Sequence, residues 1–334
     1  MRAELIVTFA GPLVTLQDAG RSGLMRFGVP RSGPMDTRSL AIANAALGNP
    51  SDACGIEVSL GGLQLNCAAG SVTFAIAGGQ FEVTHGTTRL APWAVATLHH
   101  GQSLTIRPGD HGSWAMLVFA GQIEAATWLN GRATHSQSGF GGGSVLTGSR
   151  ITIDNAETRP DREGDLPIPG WALPASRFAV VAGPQDRFFD PATFDRFLTE
   201  PFTLSDAYDR MGVRLKGPHL PVNAALDMPS EPTLRGSVQV AGDGVATVLL
   251  ADHQTTGGYP KIATVIAPDL NRLVQRRSGD SVRFHAVTPD EAILAARQAR
   301  TDLQAYLHAI ATPRGNLTDR LMSANLISGV YSDD

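Results

Sequence analysis

Short apolar runs separated by glycine and proline recur along the whole chain. Residues 72–76, 114–119 and 262–266 are examples. The chain has 36 glycines and 21 prolines, and they separate such runs. Apolar runs of about four to eight residues bounded by turn-forming residues are typical of β-strands. The pattern therefore predicts a mainly β protein.

Helical patterns are few, and each carries a start signal. Asp36 can cap an apolar-faced run at residues 37–47, which ends at a Gly-Asn-Pro sequence. Near the other end, the sequence TPDE at residues 288–291 has the form of a capping box with proline in the first turn. It predicts a helix through about Ile310.

The order of several motifs indicates an internal duplication. FAGP at residues 9–12 recurs as VAGP at 181–184, TLQD at 15–18 recurs as TLSD at 203–206, and residues 27–34 are echoed at 211–218. Between the copies, residues 154–176 are rich in Pro, Asp, Glu and Arg, which indicates a linker or long loop. We therefore predict one β unit at 1–153, the linker at 154–176, a second β unit at 177–287, and a C-terminal helix and tail at 288–334.

A polar segment, ADHQTTGGYPK at residues 251–261, directly follows an apparent buried strand at 246–250. The first copy has no such sequence at the corresponding residues 77–79. Loops held by a rigid scaffold often carry binding groups, so this strand end is the main candidate site. Asp252 and His253 are candidate catalytic residues. The candidate substrate-binding residues that follow are Gln254, Thr255, Thr256, Gly257, Gly258 and Tyr259. In a structural alternative, Asp252 and Thr255 cap a turn for which the Gly-Gly pair supplies positive φ.

The first copy has its own candidate in QDAGRSG at residues 17–23 and VPRSGPMD at 29–36. Glycine-flanked Arg21 and Ser32 can present backbone N–H groups and a cation to an anion, so both are candidate substrate-binding residues. The alternative is a set of tight turns in which Asp18 pairs with Arg21. For Asp36, capping of the following helix is the favoured interpretation.

Composition limits the possible partners. The 334 residues are 43% hydrophobic and 17% charged, enough for one large core or two ordinary ones, and the net charge of -4 gives no broad basic surface for nucleic acid. The uncharged stretch at 58–81 is interrupted by glycines, so no membrane helix is predicted. Two cysteines, Cys54 and Cys67, are too few for a disulfide framework, and we expect a cytoplasmic protein.

Several chemistries are excluded by residue type. Lys216 and Lys261 are the only lysines, and neither lies in a phosphate-binding loop or a biotin attachment sequence, so no covalent biotin is expected. There is no Gly-x-Ser-x-Gly elbow and no His-x-x-x-His pair. His99, His100 and His111 are close in sequence but lack further ligands at metal-site spacing, so no metal site is predicted.

The motifs together resemble a known family. The matching segments are residues 15–21, 28–36, 44–49, 182–185, 209–212 and 251–260, with Glu57 between them. They are similar to the allophanate hydrolase subunit 2 family, also called the biotin-dependent carboxyltransferase-like family, and closest to those of its members that form the C component of 5-oxoprolinase. The tail SANLISG at 323–329 resembles those members too. Departures are Glu231–Pro232, where Asp-Gly is expected, and His253, at a variable position.

The resemblance implies two tandem cyclophilin-like β-barrel subdomains. It also implies a subunit 1-type partner and a lactam-utilisation-type subunit, with ATP and Mg²⁺ used by the complex to open the cyclic amide of 5-oxoproline to glutamate. Such a subunit is expected to be inactive alone. Two alternatives stay open: the carboxyltransferase part of a urea carboxylase or allophanate hydrolase system, with biotin carried by another chain, and a regulatory binding module of the kinase-inhibitor-associated type.

Overall fold

The computed structural model describes residues 1–223 and 228–313, and the fold is mainly β, as predicted. The first part of the chain forms an 11-stranded sheet, and the second part forms a closed barrel of seven strands. The sequence similarity at 323–329 lies outside the described residues.

The first subdomain is a branched sheet built around two long strands, β5 and β8. Its strands are β1 (Ala3–Ala10), β2 (Thr15–Gln17), β3 (Gly55–Ser59), β4 (Leu63–Ala69), β5 (Ser71–His85), β6 (Thr88–Leu90), β7 (Ala94–His99), β8 (Ser103–Phe119), β9 (Gln122–Ile123), β10 (Arg150–Asp154) and β11 (Gly164–Asp165). β8 pairs with β5, β4 and β3, all antiparallel. The alternating burial of β1 and β4 places one face of each strand in the core.

The second subdomain is the closed barrel, in the order β12-β19-β16-β17-β14-β13-β20. The strands of this part of the chain are β12 (Arg177–Ala182), β13 (Phe202–Tyr208), β14 (Gly212–Lys216), β15 (Glu231–Pro232), β16 (Ser237–Val240), β17 (Ala246–Leu249), β18 (Thr256–Gly257), β19 (Lys261–Val265) and β20 (Ser281–Ala286). β15 and β18 pair with each other outside the barrel. The departure at Glu231–Pro232 therefore lies in a strand that pairs with part of the polar segment.

Four α-helices accompany the strands in the described part of the chain: α1 (Thr37–Leu47), α2 (Pro191–Thr199), α3 (Ala267–Leu273) and α4 (Pro289–Ala311). Asp36 caps α1 by accepting from the N–H of Arg38, and Thr288 and Glu291 form the capping box of α4, so both predicted start signals are confirmed. α4 packs back on α1, where Leu303 and Leu307 contact the cluster formed by α1 and the first sheet. None of the helices among the described residues is long and apolar enough to cross a membrane.

Two side chains of the first subdomain pack against the core of the second barrel. Met35 and Trp114 belong to the same buried cluster as Phe178, Phe202 and the other barrel residues. The segment at 154–176 also packs on the first sheet, because Leu166 is buried and its N–H donates to the Trp93 carbonyl at 2.9 Å. Met35 and Trp114 therefore join the two subdomains through one apolar cluster.

Candidate functional site

Asp252, the first residue of the polar segment with an ionisable side chain, lies in the interface between the two subdomains and is fully buried. Arg210 donates two hydrogen bonds to its carboxylate, with Nε 2.9 Å from Oδ2 and Nη2 3.0 Å from Oδ1. From the first subdomain, the backbone N–H and hydroxyl of Ser136 donate to Oδ2 at 3.0 and 2.8 Å. Both oxygens are therefore held by hydrogen-bond donors.

Glu57 on β3 completes this group, which we call the ion cluster: Glu57, Arg210 and Asp252. Arg210 contacts Glu57 through Nη1 and donates to the Gly33 carbonyl at 2.7 Å, while Glu57 accepts from the Met35 N–H at 2.5 Å. One arginine thus joins a carboxylate from each subdomain.

The pKa values of the cluster follow from burial and attraction acting in opposite directions. Burial lowers the pKa of Arg210, but the two carboxylates outweigh this and hold it above its ordinary value. Burial raises the pKa of Asp252, and its attraction to Arg210 outweighs that effect and lowers it. For Glu57 burial outweighs the attraction, and its pKa is raised. The pKa values of the two carboxylates are therefore shifted in opposite directions.

His253 also faces inward. Its Nδ1 lies 2.6 Å from the carbonyl oxygen of Gln254 and 3.1 Å from the hydroxyl of Thr233. A carbonyl can only accept, so Nδ1 carries the hydrogen and, in the neutral ring, Nε2 holds the lone pair. Burial lowers the pKa of His253, which keeps the imidazole neutral at pH 7. The ring fixes the backbone at Gln254.

Gln254 and Tyr259 instead line a cavity of about 490 Å³ on the outer face of the second barrel. Its floor and walls come from β13, β14, β16, β17, the turn before β14 and the polar segment, and all of its lining residues lie between 206 and 259. Volumes of this size are typical of small-molecule sites. The cavity has no wall from the described residues of the first subdomain, so Arg21 and Ser32 do not line it.

A second glutamine, Gln239 on β16, forms part of this cavity. It is 4% exposed, its Oε1 accepts from Gln254 Nε2 at 3.3 Å, and its own Nε2 has no partner among the described residues. A Cβ on Gly257 would lie 2.6 Å from Gln239 Nε2, whereas the nearest described atom to one on Gly258 is 3.6 Å away. The absence of a side chain at Gly257 therefore allows β18 to approach Gln239 on β16 closely. Gly258 makes no such close approach.

The remaining residues of the polar segment have mainly backbone roles. Thr255 accepts from the Thr233 N–H at 3.0 Å through its carbonyl, and Thr256 and Gly257 form β18. The glycine pair does not supply positive φ, since neither Gly257 nor Gly258 has it. The segment thus divides into an inward half at 252–253 and an outward half that reaches the cavity.

Arg21 and Ser32 lie in two loops of the first subdomain that are joined by a backbone hydrogen bond. Both are 3% exposed, and the Arg21 N–H donates to the Arg31 carbonyl at 2.8 Å. Asp18 forms no ion pair with Arg21 and instead accepts from the N–H groups of Gly20 and Ala133 at 2.9 and 3.1 Å. No hydrogen bond, ion pair or ring contact in the described part of the chain joins Arg21 or Ser32 to residues 254–259.

Three residues of these sites, Glu57, Arg210 and Gln239, were not among the site residues predicted from the sequence. Arg210 sits in a turn that looks like any polar turn, and its partners Asp252 and Glu57 are 42 and 153 residues away along the chain. Gln239 is a polar residue in a short strand whose four residues are all buried. A polar glutamine within a short apolar strand is the sequence feature that could have identified Gln239 as a candidate.

The chain is similar to known proteins in sequence and in fold. The sequence profile of the carboxyltransferase domain, subdomains A and B, matches residues 27–286. The chain is 33% identical over 310 residues to the C component of 5-oxoprolinase from Escherichia coli (strain K12), covering 90% of this chain and 96% of that protein. A putative urea carboxylase of Emericella nidulans is 27% identical over 328 residues, which cover 92% of this chain and 26% of that protein.

A solved structure supports the fold. The crystal structure of TTHA0988 is 30% identical and aligns with a TM-score of 0.76, covering 85% of this chain and 55% of that chain. This chain therefore spans about half the length of that structure. The profile match spans most of the sequence, and the resemblance noted from the motifs is confirmed. The chain therefore belongs to the carboxyltransferase domain family with subdomains A and B.

Proposed function

We propose that this chain is part of a heteromeric, ATP-dependent 5-oxoprolinase and that it binds the lactam in the second-barrel cavity. The observation that carries the proposal is the similarity to the C component of a 5-oxoprolinase over nearly the full length of both chains. The cavity adds chemical support. Neutral amide side chains line it, and a lactam offers one N–H donor and one carbonyl acceptor to such groups.

The cavity does not fit a nucleotide. Among the described lining residues, Arg214 is the one cation and is paired with Asp243 at 2.7 Å, while Asp206 and Asp209 add negative charge at the rim. A triphosphate requires the opposite charge balance. We therefore propose that ATP and Mg²⁺ bind elsewhere in the complex, with the subunit 1-type and lactam-utilisation-type partners. ATP supplies activation of the unstrained amide, and this chain holds and orients the ring.

Asp252 and His253 then act as positioning residues. Neither lines the cavity. Asp252 fixes the start of the polar segment through Arg210, and His253 holds the carbonyl of Gln254, whose side chain reaches the cavity. The catalytic role expected from the sequence stays a prediction.

The two carboxylates that line the cavity, Asp206 and Asp209, accept hydrogen bonds from neighbouring groups. Asp209 caps its own turn by accepting from the Met211 N–H at 2.7 Å, and Asp206 accepts from the Ser278 hydroxyl. Each of these hydrogen bonds uses one carboxylate oxygen, so the second oxygen of each side chain keeps lone pairs that can accept a proton. The proposal assigns bond cleavage to groups that a partner brings, because ATP activates the amide there.

The first test uses the purified complex. It should release glutamate from 5-oxoproline only when ATP is present. We expect the double variant Gln254→Ala, Thr256→Ala to lower kcat/KM by about tenfold or more, because an amide contact and the support at β18 are both lost. The double variant Gln298→Ala, Thr301→Ala on α4 makes the same chemical change and should retain activity. Unchanged turnover in the first variant would refute the site assignment.

A second test uses the two neighbouring glycines. Gly257→Ala pushes a methyl group against Gln239 Nε2 and should raise KM for 5-oxoproline about tenfold, while the free energy of unfolding changes by less than about 1.5 kcal/mol, because the contacted atom ends a side chain. Gly258→Ala meets no described atom closer than 3.6 Å and serves as the matched control. Steady-state kinetics and urea unfolding measure the two effects. Equal KM values for both variants would contradict a role for Gln239.

The carboxyltransferase part of a urea carboxylase is the second candidate, favoured by the similarity to the putative urea carboxylase of Emericella nidulans. It predicts transfer of a carboxyl group from a biotinylated carrier protein to urea. An adjacent gene for a biotin carboxylase would support it, and adjacent genes for subunit 1-type and lactam-utilisation-type proteins would support the 5-oxoprolinase. Turnover of urea with a biotin carrier, without turnover of 5-oxoproline, would decide for this alternative.

A further inference from the structure

Arg21 is a buried cation with unused donors. Its side chain donates through Nη1 to the Ala133 carbonyl at 2.6 Å, whereas Nε and Nη2 are buried and have no partner among the described residues. A guanidinium has five N–H donors, and burying a charged group without contacts costs several kcal/mol on the order-of-magnitude scale for ions. Such a group is stable only if something complements its charge.

The neighbouring carboxylates do not complement it directly. Asp18 accepts from the backbone N–H groups of Gly20, Arg132 and Ala133, and Asp252 is held in the ion cluster. Burial lowers the pKa of Arg21, and the more distant attraction of Asp18 and Asp252 only partly offsets this. Arg132, whose Nε also lacks a partner in the described part of the chain, adds a second cation to the same loops.

The two free donors of Arg21 lie on one edge of the guanidinium plane. Nε and Nη2 share the edge that forms parallel hydrogen bonds to the two oxygens of a carboxylate. The same edge of Arg210 binds Asp252, with contacts of 2.9 and 3.0 Å. Arg210 therefore shows this edge bound to a carboxylate, whereas the same edge of Arg21 has no carboxylate partner among the described residues.

Ser32 is the second unusual group in these loops. Its hydroxyl is buried without a partner among the described residues, and its φ of 54° is rare for a residue with a side chain. Left-handed backbone at a non-glycine residue costs roughly 1 kcal/mol or more and tends to persist at functional sites. The backbone hydrogen bond between Arg21 and Arg31 keeps Ser32 next to the arginine.

Trp128 covers the guanidinium. The Arg21 Cζ lies 4.8 Å from the centroid of its ring, and Phe140 stacks on that ring with centroids 4.8 Å apart. Trp128 belongs to a tight turn closed by reciprocal bonds with Gly131. The cover is thus a tight turn outside the long strands of the sheet.

We propose that Arg21 and Ser32 form a binding site for the carboxylate group of a small organic acid, separate from the second-barrel cavity. The side-on edge of Arg21 takes the two carboxylate oxygens, the Ser32 hydroxyl donates a third hydrogen bond, and Trp128 packs over the ligand-bound guanidinium. The site is distinct from the lactam cavity, because neither Arg21 nor Ser32 is among the residues that line it.

The test uses the full chain alone and the fluorescence of Trp128, assigned by difference from Trp128→Phe. Acetate, 5-oxoproline, 2-pyrrolidinone and phosphate are titrated at constant ionic strength. We expect saturable changes with acetate and 5-oxoproline, and none through Trp128 with 2-pyrrolidinone, which has the lactam but no carboxylate. A stronger response to phosphate would show a tetrahedral-anion site and overturn the carboxylate assignment, as would equal responses to every anion or none to acetate.

Variants identify the residues. Arg21→Met should weaken acetate binding at least about tenfold, and Arg21→Lys, which keeps the charge but loses the planar edge, should weaken it too while preserving the fold. Arg26→Met removes a neighbouring exposed arginine that also lies over a ring, that of Phe27, and is the matched control. Ser32→Gly should weaken acetate binding yet raise the unfolding midpoint, because glycine tolerates positive φ.

Each result bears on only one proposal. Acetate binding that survives in Arg21→Met and Arg21→Lys would overturn the site. Suppose that the chain alone binds acetate but the complex does not turn over 5-oxoproline. This result would support the Arg21 site and refute the proposed function.

Discussion

Replacing Arg210 by Met is expected to lower the free energy of unfolding by about 3–5 kcal/mol, because the change leaves two carboxylates buried without their cation. The side chains of Arg210, Asp252 and Glu57 are 0, 0 and 1% exposed. Met is also a long, unbranched side chain, so lost packing contributes little. The remaining hydrogen bonds from Ser136 and Met35 cannot replace the positive charge.

Urea unfolding of the purified chain measures the effect. Arg89→Met is the matched control, because Arg89 also pairs with a carboxylate, Glu82, at 2.9 Å, but the two side chains are 73 and 50% exposed. Exposed pairs contribute about 0–1 kcal/mol, so this variant should unfold close to the wild type. A similar small change for Arg210→Met would mean that the ion cluster does not stabilise the fold.

A rescue experiment separates charge from packing. Adding Glu57→Gln and Asp252→Asn to Arg210→Met removes both uncompensated charges, and we expect it to recover much of the loss, since neutral amides of the same shape still accept from Ser136 and Met35. Failure of the triple variant to regain stability would assign the effect of Arg210 to packing or to its bond with the Gly33 carbonyl.

The fold was predictable because its signals are local. The caps at Asp36 and Thr288, the termination at Gly48 and the short apolar runs each depend on neighbouring residues, and the structure contains the corresponding elements. The duplication was inferred from turn sequences that recur in the same order, and it stays a prediction. Closure of the second copy into a ring was implied by the resemblance alone, since it depends on pairing between β12 and β20, about a hundred residues apart.

The site was predictable only in part, for the opposite reason. A polar run at residues 251–261 marks a strand end, but the direction of each side chain depends on what packs against it. Asp252 turns inward because Arg210 and Ser136 meet it there, and Gln254 turns outward towards Gln239. The charge and the polarity were visible in the sequence. The partners were not, because they come from distant segments.

The second large effect concerns the glycines of the repeated AGP motif. Gly183 follows β12, and a Cβ there would lie 1.9 Å from the Lys261 carbonyl oxygen, on the neighbouring strand β19. Gly11 follows β1, and a Cβ there would lie 2.3 Å from the Cα of Gly61. Both contacts are with backbone, which cannot rotate away. The motif therefore recurs because each copy crosses another chain segment at the end of its first strand.

We expect Gly183→Ala to lower the free energy of unfolding by about 3 kcal/mol or more, since the methyl group forces β12 and β19 apart and breaks the bond from the Gly183 N–H to the Ile262 carbonyl, 2.8 Å long. Gly11→Ala should have a comparable effect through its bond to Gly62. Gly242→Ala is the control, because Gly242 has no positive φ and no described atom lies within 4 Å of its Cβ.

Urea unfolding of the three variants distinguishes a backbone crossing from a simple requirement for a turn. If Gly183 were required only for turn flexibility, Gly183→Ala and Gly242→Ala would differ little, because neither residue has positive φ. A large loss confined to Gly183 and Gly11 would instead identify close backbone crossings as the physical basis of the repeat. Seven strands close the second barrel, so separation at one pair strains every other pair in the ring.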